Sequence, residues 1–118
     1  MANELNQIIF DHIDDKYAYG NYGEFKVIIM KSNTFINATK LCKEYNKDFY
    51  HWKERKGNNE LIKEVDKEIP SPLIRGDGSN PSTILIKGGN NDLIRGTYVH
   101  PLLIPHIASW ISLNKKNL

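Results

Sequence analysis

The stretch Phe35-Ile36-Asn37-Ala38-Thr39-Lys40-Leu41-Cys42-Lys43 decides how this 118-residue chain is organised. A hydrophobic pair is followed by Asn37, whose side chain is a good helix N-cap, and then by a short run that carries two lysines. The pattern predicts a strand that runs directly into a helix, with Leu41 and Cys42 on its buried face and the lysines on its charged face. A charged face of this kind can hold a phosphate backbone.

The residues before this stretch indicate a small antiparallel sheet. Residues 25–30 are rich in β-branched and aromatic side chains and predict a strand. Ser32 and Asn33 are residue types typical of a turn, and residues 34–36 after them predict a second strand. Residues 17–23 predict an extended segment. Residues 1–15 show a weak pattern that ends in an acidic run, so we expect them to pack late or partly fray.

The residues after it predict a pair of helices. The first helix runs from residue 38 to about 45 and the second over residues 49–56, capped by Asp48, with Phe49 and Trp52 buried. Gly57 and the two asparagines after it break or bend the chain. A third helix over about residues 60–69 follows, closed by Pro70, and residues 71–83 predict a surface loop.

The last third of the chain predicts a hairpin and a closing helix. Two β-rich runs, residues 84–87 and 93–99, flank a glycine and asparagine turn and predict a wing that projects from the domain. Beyond Pro101 and Pro105, a helix places Ile107, Trp110 and Ile111 on one face over the core. Because the elements do not alternate as β-α-β units, we expect a small α+β domain with short hairpins and about four helices.

The distribution of charge points to nucleic acid more than the total charge does. A net charge of +2 is only mildly basic. Residues 1–24 are net negative, whereas residues 40–56 are net positive, and a helix-turn-helix followed by a hairpin is suited to the major groove and the adjacent backbone. Arg55 is the best candidate for a bidentate contact with guanine. The candidate DNA-binding residues are Lys40, Lys43, Lys47, Lys53, Arg55, Lys56, Asn58, Asn59, Lys87, Asn90, Asn91 and Arg95.

The residues alone leave other interpretations open. The cations of residues 40–56 could simply solvate helix faces, paired locally with Glu44, Asp48 and Glu54. The acidic arm and the 71–83 loop could recruit a protein partner, and a homodimer is also compatible with the pattern. Binding of RNA or single-stranded DNA would need the tyrosines at positions 17, 19 and 22 as stacking platforms.

Catalytic and metal sites find little support in the sequence. The four histidines are dispersed, and the single cysteine, Cys42, lies on the apolar helix face, so no zinc pattern exists. The paired glycines lack the Lys-Ser/Thr of a phosphate-binding loop, and the aspartates lack the spacing of a calcium loop. We therefore expect no enzyme, no cofactor and no metal. No apolar run long enough to span a membrane and no secretory signal is present, so an intracellular protein with no membrane partner is expected.

Several motifs together resemble the KilA-N domain of phages and large DNA viruses. They are the run from Phe35 to Cys42, Phe49-Tyr50-His51-Trp52, Gly96-Thr97-Tyr98-Val99-His100-Pro101 and Pro105-His106-Ile107-Ala108-Ser109-Trp110-Ile111. The resemblance implies a double-stranded-DNA-binding domain over residues 20–113, related to the fungal APSES fold, with a helix-turn-helix core and a hairpin wing, in the host cytoplasm or nucleus. The residues outside it would form an N-terminal arm at 1–19 and a C-terminal tail at 114–118. The resemblance also implies structural roles for Asn37, Tyr98, Trp110 and Ile111. No RING finger follows, although poxvirus relatives carry one after this domain.

Overall fold

The sheet at the centre of the protein has the strand order β1-β2-β3-β4-β6-β5, with every neighbouring pair antiparallel. The structure is a computed structural model that describes residues 7–69, 81–87 and 92–116. The strands are β1 Gln7–His12, β2 Tyr17–Tyr22, β3 Phe25–Met30, β4 Ile36–Asn37, β5 Thr83–Ile86 and β6 Gly96–Val99. The helices are α1 Ala38–Lys43, α2 Phe49–Lys53, α3 Lys56–Asp66 and α4 Ile104–Lys116. The predicted α+β class is confirmed.

The amino-terminal part of the chain is more ordered than a frayed arm. Strand β1 pairs with β2 from Gln7 opposite Tyr22 to His12 opposite Ala18, so the expectation for this part of the arm is wrong. The reason lies in the acidic run, which forms the turn between the two strands. The Asp14 carboxylate accepts hydrogen bonds from the amides of Lys16 and Tyr17 at 2.8 and 2.9 Å.

Strand β4 begins two residues later than the predicted strand over residues 34–36 and has only two residues. Thr34 has φ of +62°, and the Asn33 side chain accepts a hydrogen bond from the Phe35 amide at 2.9 Å, which places Thr34 in the turn. As a result β4 pairs with β3 only at Ile36 opposite Ile29. Among the described residues, the first half of β3 therefore has a strand neighbour on one side only.

The helical segment is divided differently from the prediction. Helix α2 ends at Lys53, and the predicted helix over 49–56 is wrong because Arg55 has extended backbone angles, φ −66° and ψ 137°. The Asn58 amide donates to the Trp52 carbonyl at 2.9 Å across this bend. Helix α3 begins at Lys56, so Gly57 lies inside its first turn and does not break a helix.

Two hydrophobic clusters lie on opposite faces of the sheet. The larger cluster joins the helices to β3, β4 and β6 and includes Trp52, Ile62 and Ile107. The smaller cluster includes Tyr17, Phe35 and Tyr98 on the other face. Strand β6 lies between β4 and β5, so the hairpin is a part of the main sheet and does not project as a separate wing.

The hairpin pairs as predicted, from Thr83 opposite Val99 to Ile86 opposite Gly96. Its second strand starts later than predicted because residues 92–94 form a 3-10 turn. Ser82 and Thr83 were predicted in the surface loop but are buried, since the Ser82 amide donates to the Asp66 carboxylate at the end of α3 at 2.9 Å. The rest of that loop, residues 71–80, lies outside the described residues, as does the hairpin turn at 88–91.

Candidate nucleic-acid interface

A buried contact between α1 and the hairpin fixes the orientation of the candidate surface. The Asn37 side chain caps α1 by accepting from the Lys40 amide at 2.9 Å, and it donates to the Arg95 carbonyl at 3.0 Å. The Thr39 hydroxyl accepts from the Thr97 amide at 2.9 Å. Asn37 is fully buried, which confirms its predicted structural role. These bonds hold the helix and its lysines at a fixed angle to the hairpin.

Tyr98 supports the same junction from the sheet. Its ring is fully buried, and its hydroxyl donates to the Ile94 carbonyl at 2.8 Å. Burial raises the pKa of the Tyr98 phenol, so the group stays a neutral donor. The turn before β6 is held in place by this bond.

Cys42 has no catalytic role that the geometry could support. The thiol is buried on α1, as predicted, and burial raises its pKa to about 12, with a smaller contribution from Asp48. The side chain serves as a small apolar group of the core.

The first candidate surface is an open hollow of about 760 Å³, which we call the polar depression. It lies between the α1–α2 turn and α4 and is lined by Lys43, Asn46, Lys47, Asp48, His51, Glu54, Arg55 and Trp110. Asp48 is partly engaged because its carboxylate caps α2 through the Tyr50 amide at 2.9 Å. Two cations lie over the Trp110 ring, the Lys47 ammonium at 5.6 Å and the Arg55 guanidinium at 5.7 Å from its centroid.

The second candidate surface, which we call the lysine groove, is half-enclosed and has a volume of about 410 Å³. It opens beside the first half of β3, where β4 is too short to pair. Its walls are Tyr19, Lys26, Val27, Ile28, Lys40, Leu41, Lys43, Glu44 and Leu93. The Lys26 ammonium lies 4.6 Å from the centroid of the Tyr19 ring. Lys43 lines both surfaces, so the two form one basic face.

The structure brings only part of the predicted set together on this face. Lys40, Lys43, Lys47 and Arg55 line it, whereas Lys53, Lys56 and Asn59 line neither the depression nor the groove. None of these four predicted cations forms an ion pair with a carboxylate in the described ranges. Local pairing with Glu44, Asp48 and Glu54, the alternative that the sequence left open, is therefore not seen for these cations.

The other predicted positions are engaged elsewhere or lie outside the described residues. The Asn58 amide is used in the bend after α2. Arg95 forms an ion pair with Asp92 at 2.5 Å and donates to the carbonyl of the exposed Lys87 at 3.2 Å. Asn90 and Asn91 lie outside the described residues.

The DNA-binding candidates from the sequence did not include four polar or aromatic residues that line the face, namely Lys26, Asn46, His51 and Trp110, and the sequence named Tyr19 only as a stacking platform for RNA or single-stranded DNA. Trp110 was expected in the core, but it is only half-buried. Tyr19 and Lys26 meet through cross-strand pairing of β2 with β3. The sequence does not predict this contact, because the pattern of one strand does not show which side chains of the neighbouring strand lie beside it.

The described residues offer neither a cluster of metal ligands nor a membrane-spanning helix. No group of three or more His, Cys, Asp or Glu side chains in that part of the chain could hold a metal ion. None of the helices described is long and apolar enough to cross a membrane.

Comparison with known proteins gives consistent results. The family model for the KilA-N domain matches residues 20–118. Two KilA-N domain-containing proteins of Acanthamoeba polyphaga mimivirus are 52% and 47% identical to the chain, over 93% and 92% of it but only 23% and 30% of their own lengths. An uncharacterized protein of fowlpox virus is 31% identical over 90% of the chain and 68% of its own length. No solved structure matches. The chain spans less than a third of the length of the mimivirus relatives.

Proposed function

The chain belongs to the KilA-N domain family, and on that premise we propose that it binds double-stranded DNA through the basic face formed by the polar depression and the lysine groove. The family is one associated with DNA binding, and the relatives described above come from large DNA viruses. The domain acts as a non-enzymatic module of a viral protein in the infected cell, in the host cytoplasm or nucleus.

The observation that carries this proposal is the continuity of the basic face. Lys43 joins two hollows, and between them the described residues supply Lys26, Lys40, Lys47 and Arg55 against the acidic Glu44, Asp48 and Glu54. Together with Lys43 these are five cations against three carboxylates, so positive charge is in excess where a phosphate would approach. Phosphates need flexible positive groups within reach of solvent, and these side chains meet that need.

Most contacts on this face would be sequence-independent. Lysine ammonium groups act as point charges and suit phosphate oxygens. Arg55 supplies a planar guanidinium at the bend between α2 and α3, where it can reach either a phosphate or a guanine edge. We therefore expect affinity dominated by phosphate contacts, with a modest sequence preference.

A salt titration tests the proposal directly. If the face makes about six phosphate contacts, affinity for duplex DNA should fall on the order of a thousandfold between about 50 and 200 mM salt. Fluorescence anisotropy of a labelled duplex of random sequence gives the slope. Affinity that stays constant over this range would refute phosphate-dominated binding.

A matched pair of triple variants locates the contacts. Replacing Lys43, Lys47 and Arg55 by glutamine should lower the salt slope by roughly 3, because about 0.9 counterions are released for each phosphate contact. The control replaces Lys16, Lys63 and Lys67, which are exposed and line neither hollow, so both variants lose the same charge. Equal loss of affinity in the two variants would show that net charge alone drives binding.

A further inference from the structure

We infer that the lysine groove takes one unpaired nucleotide, so that the domain prefers DNA in which a base lies outside the duplex next to a paired segment. This inference deepens the proposed function and rests on it. The added content is that the two hollows bind different parts of the DNA. The polar depression binds the duplex backbone, and the lysine groove binds an extrahelical base with its phosphate.

The groove combines apolar walls with a basic rim. Leu41, Val27 and Ile28 line the groove from α1 and β3 but are at most 7% exposed, and Leu93 adds an apolar side chain that is 41% exposed. Three lysines also line the groove, Lys26, Lys40 and Lys43, against a single carboxylate residue, Glu44. A ligand that fits both parts must be flat and apolar in one portion and anionic in another, which describes a nucleotide.

The pair formed by Tyr19 and Lys26 gives the groove an aromatic wall with a cation on it. Bases stack on aromatic rings irrespective of sequence. Because the Lys26 ammonium lies over the Tyr19 ring, a base that stacks there displaces the ammonium, which can then contact the phosphate of the same nucleotide. The Lys26 ammonium at 4.6 Å from the ring centroid places both features within the reach of a single nucleotide.

The dimensions of the groove exclude a paired base. At about 410 Å³ it falls in the range of small-molecule pockets, roughly 300–1,000 Å³, and it is half-enclosed by α1 on one side and the turn before β6 on the other. A duplex is wider than the gap that one missing strand leaves in a sheet, where strands lie about 5 Å apart. Only a base that has left the stack can enter.

Lys43 connects this site to the polar depression. Because the residue lines both hollows, a phosphate next to the extrahelical base can contact Lys43 while the neighbouring duplex backbone lies along Lys47 and Arg55. The arrangement suits a junction between paired and unpaired DNA better than a continuous single strand, because the polar depression is open and has few apolar walls.

The test compares a blunt duplex with the same duplex carrying one extra unpaired thymidine, by competition in fluorescence anisotropy. We expect roughly tenfold tighter binding of the bulged duplex, the size of effect that stacking of one base on an aromatic side chain produces. Tyr19→Ala and, independently, Leu93→Asp should abolish this preference. Leu85→Asp is the matched control, since Leu85 is 59% exposed on β5 and lines neither hollow.

The outcomes separate this inference from the proposed function. Equal affinity for the two duplexes overturns the nucleotide site and leaves duplex binding intact. A preference that survives Leu93→Asp in a folded variant also overturns the groove as its location. Displacement of the bulged duplex by a polyglutamate peptide as readily as by a second bulged duplex would mean that the groove recognises charge alone. Failure of both duplexes to bind overturns the inference and the proposed function together.

Discussion

Of the glycines in the described residues, Gly96 is the one where substitution by alanine should destabilise the protein most. Its φ is +140°, and a Cβ atom added there would lie 2.6 Å from the Asn37 Oδ1 atom and 2.9 Å from the Thr39 Cβ atom. The backbone strain costs about 1–3 kcal/mol, and displacement of the Asn37 cap adds about 1 kcal/mol. The free energy of unfolding of Gly96→Ala should therefore fall by about 2–4 kcal/mol, the sum of these two effects.

Two further glycines provide controls that separate strain from steric contact. Gly23 has φ of +58° with nothing within 4 Å of an added Cβ, so Gly23→Ala should cost only the strain, about 1–2 kcal/mol. Gly57 lies in α3 with open space around it, so Gly57→Ala should stabilise the protein by up to about 1 kcal/mol.

Urea unfolding followed by tryptophan fluorescence measures all three variants, since Trp52 is buried and becomes exposed on unfolding. For a chain of this length the melting temperature of Gly96→Ala should drop by about 8–16 °C, at roughly 4 °C for each kcal/mol. If Gly96→Ala costs no more than Gly23→Ala, the contact between Asn37 and Gly96 does not hold α1 to the hairpin.

Three further predictions concern polar groups that are wholly or partly buried. Burial raises the pKa of the Cys42 thiol to about 12, so a thiol reagent at neutral pH should label the native protein only as fast as it unfolds; rapid labelling without unfolding would contradict the burial. Burial lowers the pKa of His100 below its ordinary 6.5, and the neutral ring accepts from the Leu102 amide at 3.0 Å, so the unfolded chain binds the proton first as pH falls. His100 should therefore stabilise the fold fully above about pH 6.5 and less as the pH drops below that value. In His100→Gln the urea midpoint should depend less on pH over this range than in the parent protein. The same pH dependence in both proteins would contradict the prediction. Asn37→Ala removes a helix cap and leaves the Arg95 carbonyl without its donor, which should cost about 2–4 kcal/mol in urea unfolding; a loss below about 1 kcal/mol would show that water replaces the amide.

The elements that sequence reasoning predicted well depend on neighbours in the chain. Strand β3 over Phe25–Met30 follows from a run of strand-forming side chains, and the caps at Asn37 and Asp48 follow from the residue types that accept a first-turn amide. The burial of Cys42 follows from helical spacing. In each case the deciding interaction joins residues at most four positions apart.

The misplaced elements depend on contacts that local patterns do not contain. The bend at Arg55 is held by the side chain of Asn58 bonded to the Trp52 carbonyl, whereas helix propensity alone favours continuation through this segment. Trp110 has the spacing of a core residue, yet it is only half-buried and lies under Lys47 of the α1–α2 turn and Arg55 of the bend between α2 and α3.

By itself, the sequence determined the α+β class, the helix caps, the hairpin and the motifs of the KilA-N family, because these are recorded in short runs of residues. The tertiary structure alone decided the shape of the basic face. The lysine groove exists because β4 has two residues and leaves the first half of β3 without a neighbour on that side, and because α1 and the hairpin meet across 58 positions of sequence through Asn37 and Arg95. A hollow of this kind is set by which strands fail to pair, and strand pairing between distant segments is a property of the whole fold.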